Sequence, residues 1–116
     1  MSKWFRIGLS ALANVVVLAH VSFAQQNAII AGVVRDTSGG VMPGVTVEAA
    51  SPALIEKTRT AISDADGRYS IIDLRPGTYT VTFTLPGFST VRREGIELTG
   101  GFTASVNAEL KVGGIE

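Results

Sequence analysis

The sequence predicts an all-β domain, a two-sheet antiparallel β-sandwich of about seven short strands with Greek-key connections. Turn signals rich in Gly and Pro recur roughly every 8 to 12 residues, and no stretch after residue 24 has the apolar spacing of an amphipathic helix. Between the turns apolar and polar residues alternate, which places one face of each strand on a core and the other in water. Together these features favour a sandwich over a helical or mixed fold.

The clearest pattern lies between Asp64 and Leu85, where two strands are separated by a turn. Gly67 is expected at positive φ in the turn that precedes the first strand. Pro76 and Gly77 are predicted to form a type II turn that closes a β-hairpin. In the second strand the apolar and hydroxyl residues alternate strictly: Tyr79, Val81, Phe83 and Leu85 against Thr78, Thr80, Thr82 and Thr84.

Five further strands flank this hairpin. Gly32, in the first of them, indicates a bulge or a close backbone approach. The polar strand 57–63 is expected at a sheet edge, and Gly95 is expected to form a bulge. Pro86 and Gly87 end the long strand of the hairpin. The predicted flanking strands are residues 27–35, 45–50, 57–63, 90–98 and 102–110.

The apolar faces of these strands define a predicted core. Burial of each large side chain is worth about 1.5–3 kcal/mol, and replacement of Tyr79 by Ala is expected to cost about 3–5 kcal/mol. The predicted core residues are Val33, Val45, Val47, Tyr69, Ile71, Tyr79, Val81, Phe83, Val106 and Leu110.

The first 24 residues have the pattern of a secretory signal peptide. Lys3 and Arg6 precede an apolar stretch over 7–21, and small residues at Ser22 and Ala24 predict cleavage after Ala24. A retained membrane anchor is the alternative, disfavoured because a span needs about 20 apolar residues. The expected organisation is a signal peptide over 1–24, a domain over 25–112 that does not insert into the membrane, and a tail over 113–116.

Composition excludes several kinds of chemistry in the predicted mature chain. Eight basic and ten acidic residues follow residue 24, a net charge of −2 that disfavours nucleic acid as a partner. The chain has no cysteine, and its single histidine and tryptophan, His20 and Trp4, lie in the predicted signal. The mature domain therefore lacks a histidine base, a thiol nucleophile and the usual zinc ligands, and no cofactor is predicted.

Three candidate sites are weighed against simpler roles. The run Asp64-Ala-Asp-Gly looks like a calcium loop, but Arg68 and Arg75 occupy two ligand positions of that loop, so an Asx turn is favoured. The threonine row of the hairpin is expected to be the solvated side of a strand. Glu94 and Glu97 are expected to be surface charges, and no catalytic or metal site is predicted.

Three sequence runs resemble a known family. They are G-V-V-R-D-x-x-G-G-x-x-P-G-V-x-V, D-x-x-G-x-Y-x-I-x-x-L-x-P-G-x-Y-x-V and P-G-F. Over about residues 28–110 they resemble the carboxypeptidase regulatory-like domain, which implies a transthyretin-like (prealbumin-like) sandwich related in shape to starch-binding domains. In metallocarboxypeptidases the catalytic zinc sits in a separate domain, so the resemblance implies no peptidase activity.

A signal peptide followed by this domain resembles the amino-terminal end of a TonB-dependent outer-membrane receptor. In those receptors a plug and a barrel follow, whereas this sequence ends at Glu116. A receptor fragment and a stand-alone secreted module are both open. The expected role is a non-catalytic accessory module in the periplasm or at the outer membrane, which contacts a protein partner or an adjacent receptor domain through its edge strands.

Carbohydrate binding is the alternative function, suggested by the related folds. Sugar platforms display exposed aromatic rings, and three of the five aromatic residues in the mature chain are needed in the core. Phe88 and Phe102 are uncommitted and form the candidate ligand face. Each lies at a strand end, where covering the core is the simpler role.

Overall fold

The computed structural model describes residues 26–113. The predicted signal peptide, its cleavage at Ala24 and most of the predicted tail lie outside the described residues. Within 26–113 no helix is long and apolar enough to cross a membrane.

Within residues 26–113, eight strands form two sheets packed face to face, which confirms the all-β sandwich. One sheet has the order β4-β1-β7, with β8 also paired to β1, and the other has the order β3-β2-β5-β6. The strands are β1 Ala28–Asp36, β2 Thr46–Ala50, β3 Thr58–Ile62, β4 Arg68–Leu74, β5 Gly77–Thr84, β6 Val91–Leu98, β7 Thr103–Ser105 and β8 Ala108–Leu110.

The last predicted strand is divided in two and is not antiparallel to its neighbour. Both β7 and β8 run parallel to β1. Between them the chain turns inward, where the Val106 amide donates to the Ala31 carbonyl at 2.9 Å and the Asn107 side chain accepts from the Val33 amide. Gly32 permits this close approach, since a Cβ there would lie 2.0 Å from the Val106 carbonyl oxygen.

The predicted hairpin is wrong, because β4 and β5 lie in different sheets and do not pair. Pro76 and Gly77 instead carry the chain from one layer to the other. Gly77 has φ 159°, an extended conformation, whereas a type II turn needs about +80° at this position. Both strands direct their large side chains into one core, so they face each other across it. The Tyr79 hydroxyl stabilises this connection between the two sheets by donating a hydrogen bond to the Arg75 carbonyl at 2.7 Å.

The core fills the space between the sheets, and nine of the ten predicted core residues are in it. Tyr69 and Phe83 meet edge to face, with ring centroids 5.6 Å apart. Val33 is the exception: it is half-buried on the outer face, while Ile30 and Val34 point inward. The largest fully buried side chains are Tyr79, Phe83, Ile30, Leu74, Leu110, Val34, Val45, Val47 and Val81.

Two further strand features agree with the sequence. β3 is an edge strand, paired with β2 alone among the described strands. On β6 the register with β5 shifts between the Tyr79–Ile96 and Val81–Arg93 pairs, and Gly95 lies there at φ +72°. This is the predicted bulge, with Gly in the left-handed conformation that it requires.

Candidate functional site

The aspartate turn before β4 binds its own backbone. One carboxylate oxygen of Asp64 accepts from the Asp66 amide at 2.9 Å and from the Arg68 amide at 3.0 Å. These hydrogen bonds hold the pKa of the Asp64 carboxyl below its ordinary value, and the bond from the Arg68 amide has the largest effect. Gly67 lies at φ +75°, and a Cβ there would approach the Val34 carbonyl oxygen to 2.7 Å. The geometry is that of an Asx turn, and no three metal-ligating side chains cluster within residues 26–113.

A second aspartate turn follows β1. The Asp36 carboxylate accepts from the Ser38 hydroxyl at 2.6 Å and from the amides of Ser38 and Gly40. The pKa of Asp36 is lowered, chiefly by the Ser38 hydroxyl. The pattern D-x-S-x-G could have indicated this turn, because Asp accepts from amides two residues ahead. Both turns lie at the end of the sandwich where β1 finishes, and both stiffen it.

The hydroxyls of the two tyrosines form hydrogen bonds to backbone carbonyls and so have a structural role. The Tyr69 hydroxyl donates to the Val106 carbonyl at 2.6 Å and so holds the break between β7 and β8 against β4. Burial raises the pKa of both the Tyr69 and the Tyr79 hydroxyls. Each is therefore a neutral donor to a backbone carbonyl at ordinary pH.

The two uncommitted aromatic residues lie at opposite ends of the sandwich. Phe88 is half-buried against the core and bridges to Val112, beyond the end of β8. Phe102 is 47% exposed, and its carbonyl accepts from the Ile29 amide near the start of β1. Since a nine-residue strand such as β1 spans about 26 Å, these rings do not form one platform.

The outer face of the β3-β2-β5-β6 sheet is rich in threonine. The threonine row predicted on β5 is extended by Thr46 of β2 and by Thr58 and Thr60 of β3, which share its face through the strand register. On the neighbouring β6, Arg92 pairs with Glu94 at 3.1 Å, with both side chains about two-thirds exposed. Such an exposed pair contributes little to stability. The face is solvated and has hydroxyl groups as its main chemistry.

Among the described strands there are four sheet edges, and three of them carry features that discourage further pairing. The β6 edge is interrupted by its bulge, and the last edge is divided between β7 and β8. On the β4 edge, Arg59 donates to the Ile72 carbonyl at 2.8 Å and the Asp64 amide donates to the Arg68 carbonyl. Bulges, short strands and capped carbonyl groups are recognised protections of sheet edges. The fourth edge, β3, contains the charged Arg59, but within Thr58–Ile62 it has neither a bulge nor a division of the strand.

The fold and these surfaces define a small β-sandwich module. The chain belongs to the carboxypeptidase regulatory-like domain family, whose model matches residues 29–111. It is also similar to the TonB-dependent transporter Oar of Myxococcus xanthus, with 38% identity over 89 residues. That match covers 77% of this chain but 8% of the transporter, so the chain spans a small part of the relative's length.

Solved structures share the sandwich. The Bacillus anthracis TIE protein superposes with a TM-score of 0.60 at 16% identity, over 75% of this chain and 17% of that one. Hydroxyquinol 1,2-dioxygenase from Pseudomonas putida superposes with a TM-score of 0.59 at 10% identity, over 78% of this chain and 58% of that one. At these identities the likeness shows the fold alone.

Proposed function

We propose that this chain is a non-catalytic interaction module of the cell envelope, the amino-terminal periplasmic domain of a TonB-dependent outer-membrane receptor or a fragment of one. Its family and its similarity to the transporter Oar support this setting. The predicted signal peptide supports export. The hydroxyls of Tyr69 and Tyr79 and the carboxylates of Asp36 and Asp64 form hydrogen bonds to the backbone. The module's role is to present a rigid surface to an adjacent domain or an envelope protein.

The observation that carries this proposal is the open edge of β3. The Ser63 amide donates to the Val45 carbonyl, and the Lys57 carbonyl accepts from the Ser51 amide, so these residues of the β3 chain turn their hydrogen-bonding groups toward β2. Because that direction alternates along a strand, Arg59 also faces β2.

It follows that three residues of β3 direct their amide and carbonyl groups away from the sheet: Thr58, Thr60 and Ile62. Among the described strands none lies on that side in hydrogen-bonding register. The Ile62 side chain is 64% exposed next to them and offers an apolar contact. An extended segment of a partner can therefore add to this edge as a further strand, with main-chain hydrogen bonds supplying affinity.

Strand addition is tested by two variants at the same position. Thr60→Pro removes the central outward amide without disturbing the bonds to β2, because proline is tolerated on the free side of an edge strand. Thr60→Ala keeps that amide and is the matched control. With a photo-crosslinking residue at position 62, cells should give a defined envelope-protein adduct in the Thr60→Ala background that is lost in the Thr60→Pro background. Equal adducts in both backgrounds, or none in either, would contradict strand addition.

Export and the receptor setting are tested separately. Amino-terminal sequencing of the protein recovered from the cell envelope should begin at Gln25, and the gene should continue into a plug and barrel coding region. A protein retained in the cytoplasm with Met1 intact would contradict the export that we propose. An open reading frame that closes after Glu116 would favour the secreted module over the receptor domain.

Carbohydrate binding is the second candidate, favoured by the exposure of the Phe102 ring at 47%. The ring stands next to the hydroxyl-bearing strand β7, and a sugar could stack on it. Calorimetric titration with a panel of soluble glycans tests this function. A heat of binding that is lost in the Phe102→Ala variant would support carbohydrate binding. An absence of binding heat with every glycan in the panel would contradict it.

A further inference from the structure

A cleft crosses the outer side of the sandwich where the last strand is divided. It consists of two adjoining cavities of about 440 and 330 Å³, which share Val33 and Asn107 in their walls. The cleft exists because the chain turns inward at Val106, and Gly32 leaves room for that turn. The floor of the larger cavity is apolar, formed in part by Ala31 and Val33.

Hydrogen-bond donors surround this floor. The Asn107 side-chain oxygen accepts from the Val33 amide at 2.9 Å, which fixes the side chain and turns its NH₂ group to the other side. The hydroxyls of Thr103 and Ser105 line the first cavity. An amide NH₂ and two hydroxyls therefore converge on the cleft, and each can donate to an oxygen of a ligand.

Arginines give the cleft its charge. Arg68 lines the first cavity, Arg35 and Arg93 line the second, and Glu109 is the single acid among the lining residues. The salt bridges found within residues 26–113 involve other arginines, so these three are free of ion pairs there. The same residues carry eight basic and nine acidic side chains, so this positive cluster is local and does not reflect a basic protein.

The cleft is built by both sheets. Arg93 stands on β6 of one sheet, yet it lines the second cavity together with Val33 of β1, Asn107 and Glu109. The cavity therefore has walls from both sheets, next to the inward turn where the Tyr69 hydroxyl binds the Val106 carbonyl. Arg35 lines the same cavity, and its side chain is restrained by a hydrogen bond that it donates to the Gly39 carbonyl at 3.1 Å.

We propose that this cleft binds the carboxylates of an extended acidic peptide segment. Guanidinium groups match carboxylates geometrically and bind them in pairs of hydrogen bonds. Alternate side chains of an extended peptide are about 6.6 Å apart, so successive carboxylates can reach arginines on neighbouring strands. The apolar floor of the first cavity can contact the methylene groups of the acidic side chains, and the described lining residues include no exposed aromatic ring that would favour a sugar. This site is separate from the β3 edge and does not depend on it.

The proposal is tested by titrating the isotopically labelled chain with hexaglutamate at low salt and following its NMR spectrum. Saturable shifts are expected at the Val33 amide and the Asn107 side-chain amide. The double variant Arg35→Gln/Arg93→Gln should weaken binding by about 2- to 30-fold, if each exposed ion pair contributes about 0.2–1 kcal/mol. Arg92→Gln is the matched control, because Arg92 neighbours Arg93 but is paired with Glu94 on the other face. It should leave the affinity unchanged.

Several results would overturn the proposal. They are an absence of saturable binding, shifts confined to other surfaces, or equal affinity in the double variant and the control. Saturable binding of a sulfated hexasaccharide without binding of hexaglutamate would assign the cleft to an anionic glycan instead. If the double variant does not fold, Arg93→Gln alone carries the comparison, since the Arg93 residue is exposed and its side chain forms no salt bridge within the described residues.

Discussion

Tyr69→Phe isolates the hydrogen bond on which the divided last strand depends. The hydroxyl donates to the Val106 carbonyl at 2.6 Å, and Tyr69 itself is 5% exposed. Without the Tyr69 hydroxyl, the Val106 carbonyl stays buried beside Gly32, and no backbone amide within the described residues donates to it. A buried polar group that loses its partner costs about 1–3 kcal/mol. The variant should therefore unfold with a free energy lower by that amount, and the ring should keep its contact with Phe83.

Urea denaturation measures this loss directly, and thermal melting should show a shift of about 4–8 °C per kcal/mol for a domain of this size. Tyr79→Phe is the matched control. Its hydroxyl donates to the Arg75 carbonyl in a partly buried site, where water can take over, so a loss of about 0.5–1.5 kcal/mol is expected. A Tyr69→Phe variant as stable as the wild type, or a larger loss in Tyr79→Phe, would refute the assigned role of Tyr69.

Three further predictions concern stability. Gly32→Ala should lower the free energy of unfolding, measured by urea titration, by at least about 1–3 kcal/mol, because its Cβ would lie 2.0 Å from the Val106 carbonyl oxygen. Gly40→Ala is the control and should leave the free energy of unfolding nearly unchanged, because a Cβ at Gly40 would have ordinary contacts. Tyr79→Ala should cost about 3–5 kcal/mol by the loss of a buried aromatic ring, and an unmoved melting curve would place Tyr79 outside the core. Asp64→Asn should lower the melting temperature at pH 6 and differ less from the wild type below pH 3. Folding lowers the pKa of the Asp64 carboxyl. The carboxylate therefore stabilises the fold above its unfolded-state pKa, and this stabilisation is lost as the pH falls through its folded-state pKa. A gap that stays constant from pH 6 to 2 would contradict that.

Alternation in the sequence predicted which residues of β5 are buried but not which strand lies beside it. Tyr79, Val81 and Phe83 face the core in the structure. The strict pattern encodes that burial, since side chains change face at every residue. Pairing partners leave no comparable signal, so Pro76-Gly77 was interpreted as a hairpin turn when it is a crossing between layers.

For β1 and the last predicted strand, the local sequence pattern did not determine the structure. Both faces of β1 carry apolar residues, so the sequence did not determine whether Val33 or Val34 points inward; the structure buries Val34. The division at Val106 and Asn107 depends on β1 approaching at Gly32, a contact between residues more than 70 positions apart. Parallel pairing of β7 and β8 with β1 follows from the global topology and has no local signature.

The sequence predicted some of the candidate surfaces and missed others. The polar composition of β3 indicated an edge strand, and the structure adds that the other edges are interrupted or capped. The arginine-lined cleft was missed, because Arg35, Arg68 and Arg93 come from three strands and meet only through the packing of two sheets. Phe88 and Phe102 looked equivalent in sequence, yet the fold puts them at opposite ends.

Amide hydrogen exchange along β3 in the isolated chain tests the open edge most directly. The amides of Thr58, Thr60 and Ile62 should exchange rapidly, whereas those of Arg59 and Ala61, which face β2, should be strongly protected. Uniform protection along the strand would mean that this edge is already covered, and uniform exchange would mean that β3 is not paired as described. Either result would contradict strand addition at β3.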